Sequence, residues 1–168
     1  MIYAITPDES AFNKVAGAKI RNLEEQQPIS LSGEQWHLVI HSHGPDPGSK
    51  DPGDSQVTDV DFGLLTLGKW SDIGATSEQL DMLGVSHMQY VSGTGEYTLT
   101  FTLPGNFDQN DGAFVAYSYG RDQVGALIVN GTELPANNAS DRVDVGRLLT
   151  AGQNTLTLRL NTTLYGRT

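Results

Sequence analysis

The side chains best suited to chemistry crowd into residues 36–55, WHLVIHSHGPDPGSKDPGDS. His37, His41 and His43 fall at alternating positions of what reads as a strand. Side chains two apart share a strand face, so the three imidazoles project together. Imidazole suits zinc, copper or iron, and such a centre needs three or four converging ligands. Asp46 follows closely, but the one remaining histidine, His87, lies far along the chain, and Gly44-Pro45 reads as the end of the strand. The residues therefore favour histidines on the polar face of a partly exposed strand over a transition-metal centre. Calcium is the alternative ion. It accepts oxygen ligands from flexible loops, and Asp46, Asp51 and Asp54 are the candidates, although their spacing is not that of an EF-hand.

Two further chemistries call for other residues. Glycoside hydrolysis needs two carboxyl groups about 5–9.5 Å apart. Asp59 and Asp61 share a strand face and Asp141 and Asp144 flank a turn, but nothing in their spacing makes either pair converge; Asp144 is better suited to capping the VGRLL turn. Sugar binding asks for an aromatic face beside hydrogen-bonding side chains. The YSYGRDQ loop offers Tyr117, Tyr119, Arg121 and Asp122 together, the SHMQY segment adds His87 and Tyr90, and Trp70 precedes a polar turn. These seven are the candidate ligand-binding residues; the competing reading makes Trp36, Trp70 and Tyr97 core aromatics.

The elements that must position these groups read as β. EYTLTFTLP alternates, with Tyr97, Leu99, Phe101 and Leu103 on one face and threonines on the other, and NTLTLRL repeats this with Leu156, Leu158 and Leu160. Such alternation marks half-buried antiparallel strands. WHLVIHS, VTDVDFGLLTL, GAFVAYSY and VGALIVNG supply further strands, the last ending in the hairpin signal Asn130-Gly131. About eight short strands predict an all-β, two-sheet sandwich over residues 29–168. Residues 1–28 read as a lead-in, helical or extended, with Phe12, Val15, Ala16, Ile20 and Leu23 on a helical stripe.

Composition narrows the partners. A net charge of −10 and an isoelectric point near 4.6 speak against nucleic acid and anionic membranes. With no cysteine there is neither disulfide nor thiolate chemistry. The start lacks the pattern of a signal peptide, and three glycosylation triplets, at Asn130, Asn138 and Asn161, tilt towards a secreted protein. The expectation is an excised fragment of an extracellular protein.

The order of motifs LGKW (67–70), SGTGEYTLTFTLP (92–104), VNG (129–131) and VDVGRLLTAGQNTLTLRL (143–160) resembles the galactose-binding-like jelly roll that accompanies glycoside hydrolases. It is most similar to the module at the end of α-L-rhamnosidase-type enzymes, and also resembles the sugar-binding domain of β-galactosidase-like enzymes. The tail departs from the pattern at Tyr165-Gly166-Arg167, so no role is carried over to it. The resemblance implies a jelly roll spanning roughly residues 30–168, a polysaccharide or oligosaccharide ligand, and a catalytic domain elsewhere in the parent enzyme. In that family the catalytic carboxylates sit in a separate, larger domain, so the expected role is a non-catalytic carbohydrate-binding or accessory module. No cofactor is required, with a structural calcium as an option. The alternatives are a spacer that binds no sugar and a cupin-like metalloenzyme.

Overall fold

Alternating apolar and polar side chains organise the chain into strands that each bury one face. The computed structural model describes residues 2–6, 29–45, 48–51, 53–117, 124–135 and 142–162. In chain order these hold β1 (Ile2–Thr6), β2 (Trp36–Pro45), β3 (Ser55–Leu65), α1 (Ser77–Leu83), β4 (Gly93–Leu103), β5 (Phe114–Tyr117), β6 (Val124–Val129), β7 (Thr132–Pro135), β8 (Arg142–Asp144) and β9 (Gly152–Thr162). A six-stranded sheet runs β3-β2-β4-β9-β6-β7 and a three-stranded sheet runs β1-β5-β8. Every pairing is antiparallel, so the fold is an all-β sandwich.

The centre of the large sheet is β4 paired with β9 along their whole length, with Tyr97 opposite Leu158 and Leu99 opposite Leu156. These four are buried, together with Trp36, Leu38 and Ile40 of β2 and Leu127 and Val129 of β6. Val115 of β5 belongs to the same cluster, so one core lies between the sheets. Each such leucine or valine contributes roughly 1.5–3 kcal/mol by leaving water. Trp36 satisfies its indole by donating to the Leu31 carbonyl at 3.0 Å, which draws the chain before β2 into the core.

The turn at Asn130-Gly131 has both residues at positive φ, 48° and 84°, as a two-residue hairpin requires. The Asn130 side chain adds more. Its Oδ1 accepts the Thr155 N–H at 2.8 Å, and its Nδ2 donates to the Leu148 carbonyl and to Asn154 Oδ1, each at 2.8 Å. Asn154 is buried and ties down the turn that starts β9.

Two findings differ from the sequence reading, and a third falls on the lead-in, which reads as helical or extended. β2 continues through Gly44 to Pro45, because β3 pairs with it that far. The segment 76–84 contains a helix that alternation does not signal. Thr76 and Gln79 form a capping box, and Gly84 ends the helix in the left-handed conformation. Finally, Ile2–Thr6, within the lead-in, is extended and pairs with β5, Ile5 opposite Val115. The helical stripe from Phe12 to Leu23 lies outside the described residues.

Candidate functional site

The strand geometry does place the histidines together, on the outer face of the large sheet, but it supplies His37 and His41 each with a carboxylate. Asp59 stands directly opposite His41 in the β2–β3 register, and His41 Nδ1 lies 2.7 Å from Asp59 Oδ1. His37 Nε2 is 2.9 Å from Asp61 Oδ1. The same Asp61 oxygen accepts the Gly63 N–H at 2.7 Å, where a register shift and a positive φ at Gly63 mark a bulge in β3. That backbone bond, helped by His37, holds the Asp61 carboxyl below the usual range.

The ladder continues across the sheet. His41 Nε2 is 3.6 Å from Glu96 on β4. Glu96 accepts from Arg159 of β9 at 2.8 Å and 2.9 Å, and Arg159 reaches Glu133 of β7 at 3.1 Å. The bond to Glu96 is the largest cause raising the Arg159 pKa. Thr98 and Thr157 exchange a hydroxyl hydrogen bond at 2.9 Å beside it. These are pairs between partners, not ligands converging on a point. Among the described residues no group of three His, Cys, Asp or Glu could hold a metal ion. Asp59 and Asp61, the candidate carboxylate pair, are each taken up by a histidine. Asp144 accepts the Gly146 N–H at 3.0 Å, as a turn-forming residue; Asp141 lies outside the described residues.

In the acidic loop, Asp51 Oδ1 accepts the Gly53 N–H at 2.9 Å, and the Ser49 hydroxyl donates to Asp54. Both carboxylates thus serve the loop's own turn. Asp46 lies outside the described residues.

A second surface gathers three of the sugar-ligand candidates. Single 3-10 turns at Trp70–Asp72 and Met88–Tyr90 lie against one another, near the Gly93 end of β4. Between them and α1 opens a cleft of about 420 Å³ lined by Ser71, Ile73, Ala75, Leu80, His87 and Met88 among others. The His87 and Tyr90 rings stand 6.1 Å apart at 50°, and Tyr90 is 43% exposed. The capping box of α1 starts the helix that carries Leu80 to the cleft wall.

Trp70 has a different place. Its Nε1–H donates to the Tyr97 hydroxyl at 2.8 Å. Its ring lies so close over Gly95 that a Cβ there would come within 2.7 Å of it. Trp70 therefore fastens the turn to β4. Burial raises the Tyr97 phenol to about 12, although the Trp70 hydrogen bond lowers it in part. Of the other candidates, Tyr117 ends β5, while Tyr119, Arg121 and Asp122 lie outside the described residues.

No protein-family model and no curated protein sequence matches the chain. Among solved structures, it is similar to a rhamnosidase from Novosphingobium sp. PP1Y, at 19% identity and a TM-score of 0.47, over 89% of this chain but only 12% of that enzyme's length.

Proposed function

We propose that this sandwich is a non-catalytic carbohydrate-binding or accessory module of a glycoside hydrolase, with a rhamnosidase-like parent that acts on extracellular polysaccharide. The observation that carries the reading is the exposed Tyr90 ring, 6.1 Å from His87, where His87 itself lines an open cleft with Ile73, Leu80 and Met88. An aromatic face receives the C–H side of a sugar, and imidazole and amide groups bond its hydroxyls. The motif order in residues 67–160 supports the same assignment. The module would hold a separate catalytic domain near its substrate by mass action, without chemistry of its own.

A panel of polysaccharides in affinity gels tests this directly. The expected result is retardation on at least one polymer, weakened roughly tenfold by Tyr90→Ala, a loss of about 1.4 kcal/mol. A spacer that packs on a catalytic domain is the second reading, favoured by Leu64 and Val57 of β3 at 65% and 55% exposure. It predicts no retardation on any polymer and no effect of Tyr90→Ala.

A further inference from the structure

The sequence holds a single Asn-Gly pair, Asn130-Gly131, and the structure seats it at the tip of the β6–β7 hairpin. Asn-Gly is the pair most prone to lose ammonia, because a glycine has no side chain to shield its backbone nitrogen. That nitrogen attacks Cγ of the asparagine and forms the new C–N bond, while Nδ2 leaves as ammonia. Water then opens the cyclic imide to aspartate or isoaspartate. Water is the only co-reactant, and Asn130 and Gly131 are both exposed, so it reaches the turn.

What stands against the reaction is the bonding of the asparagine amide. Oδ1 accepts the Thr155 N–H at 2.8 Å, while Nδ2 donates to the Leu148 carbonyl and to Asn154 Oδ1, each at 2.8 Å. An amide has two hydrogens to donate, and here both are engaged. The Asn130 N–H adds a bond to the Thr155 carbonyl at 2.9 Å. To bring Cγ onto the Gly131 nitrogen, the side chain must leave three partners at once. Those partners are themselves fixed. Asn154 is buried and donates to the Thr150 and Gly152 carbonyls at 2.7 Å and 2.9 Å. Leu148 closes the 3-10 turn Gly146–Leu148, and Thr155 lies in β9, which pairs with β4 on its other side.

The products do not fit the same place. An aspartate at position 130 carries only acceptor oxygens, and it sets one against the Leu148 carbonyl and Asn154 Oδ1, which are acceptors too. Isoaspartate adds a carbon to the backbone of a two-residue turn that depends on its φ angles of 48° and 84°. We propose that Asn130 is a fold-gated modification site. It stays asparagine while the hairpin is packed, and converts to aspartate or isoaspartate when the β6–β7 end of the sheet opens. The hairpin then cannot close as before, so conversion turns a local opening into an irreversible one. This property involves no ligand and does not rest on the carbohydrate reading.

The test is peptide mapping by mass spectrometry of the full 168-residue chain held at mildly alkaline pH, folded in buffer and unfolded in guanidinium. The peptide containing residue 130 is expected to convert at least tenfold more slowly in the folded chain. Asn154→Ala removes one acceptor of Asn130 Nδ2 and should speed conversion of the folded chain several-fold, with the unfolded rate unchanged. Asn130→Asp makes one product directly and should lower Tm by roughly 2–4 °C or more. Equal rates in the folded and unfolded parent chain would overturn the proposal. So would an Asn130→Asp chain that melts with the parent, or a folded Asn154→Ala chain that converts no faster. If Asn154→Ala does not fold, the parent rates and the Asn130→Asp melting temperature decide the matter.

Discussion

His41 and His87 sit on two surfaces of the same sandwich and have opposite circumstances. His41 stands on the outer sheet face with Asp59 and Glu96 on its two nitrogens, and Arg159 and Glu133 extend the line. His87 stands at a cleft mouth, with an exposed aromatic ring for a neighbour. The first surface is richer in ionisable groups, yet they are paired with one another across the sheet. The second has few charges, but offers shape, an apolar floor and an aromatic face. What distinguishes them is whether the fold already satisfies the polar groups, not how many there are. The contrast also has an energetic side. Exposed ion pairs are each worth about 0–1 kcal/mol, whereas the Trp70–Tyr97–Gly95 contact that seats the cleft is tied to the core.

The largest expected effect therefore comes from unseating the cleft. Trp70→Ala removes a half-buried ring and strands the buried Tyr97 hydroxyl, a cost of about 3 kcal/mol. For a chain of this size that is a fall of roughly 6–12 °C in Tm, measured by calorimetry. If the variant instead melts within a degree or two of the parent, Trp70 is not the anchor, and its ring is free for a ligand after all.

Tyr97 sharpens the same side of the comparison through pH. Its folded pKa is raised to about 12 from 10.0, because burial disfavours the phenolate. The unfolded chain ionises first, so the folded state is unaffected below pH 10 and loses stability as pH rises from 10 towards 12. Each tenfold difference in acidity between the folded and unfolded phenol costs about 1.4 kcal/mol once that range is crossed. Denaturant midpoints followed between pH 8 and 12 should show this decline, and Tyr97→Phe should remove its share of it. An unchanged slope in Tyr97→Phe would mean that other groups govern alkaline unfolding.

How much of this is legible in the sequence depends on the range of the interaction. The strand faces at Tyr97–Leu103 and Leu156–Leu160 are legible because alternation is local, and so is the turn at Asn130-Gly131, which needs positive φ. Helix α1 escapes notice despite a local signature, Thr76 with Gln79 and then Gly84; its seven residues carry too short an apolar pattern to register as periodic. The histidine partners are illegible for another reason. That His41 meets Asp59, eighteen residues away, is set by the β2–β3 register, which includes a bulge that no composition reveals. Likewise, residue type alone fits Trp70 to both roles, ligand and core. The approach of Gly95 of β4 beneath its ring, which seats the indole, is not local in sequence.

The smallest effect is expected on the ladder, and it is the one that could break the comparison. Arg159 joins Glu96 to Glu133, and Ala126 opposite it in register is buried although it lies on the outer face. Arg159→Ala thus removes two surface pairs and some apolar cover, together about 1 kcal/mol. The ionic share should shrink at about 1 M salt, where charges are screened within about 3 Å, while any packing share persists. Urea unfolding of parent and variant at low and high salt separates the two. A loss near 3 kcal/mol that is insensitive to salt would make the outer face as structural as the Trp70 contact. A loss near 1 kcal/mol that fades with salt leaves the ladder as a solvated face whose charges answer only to each other.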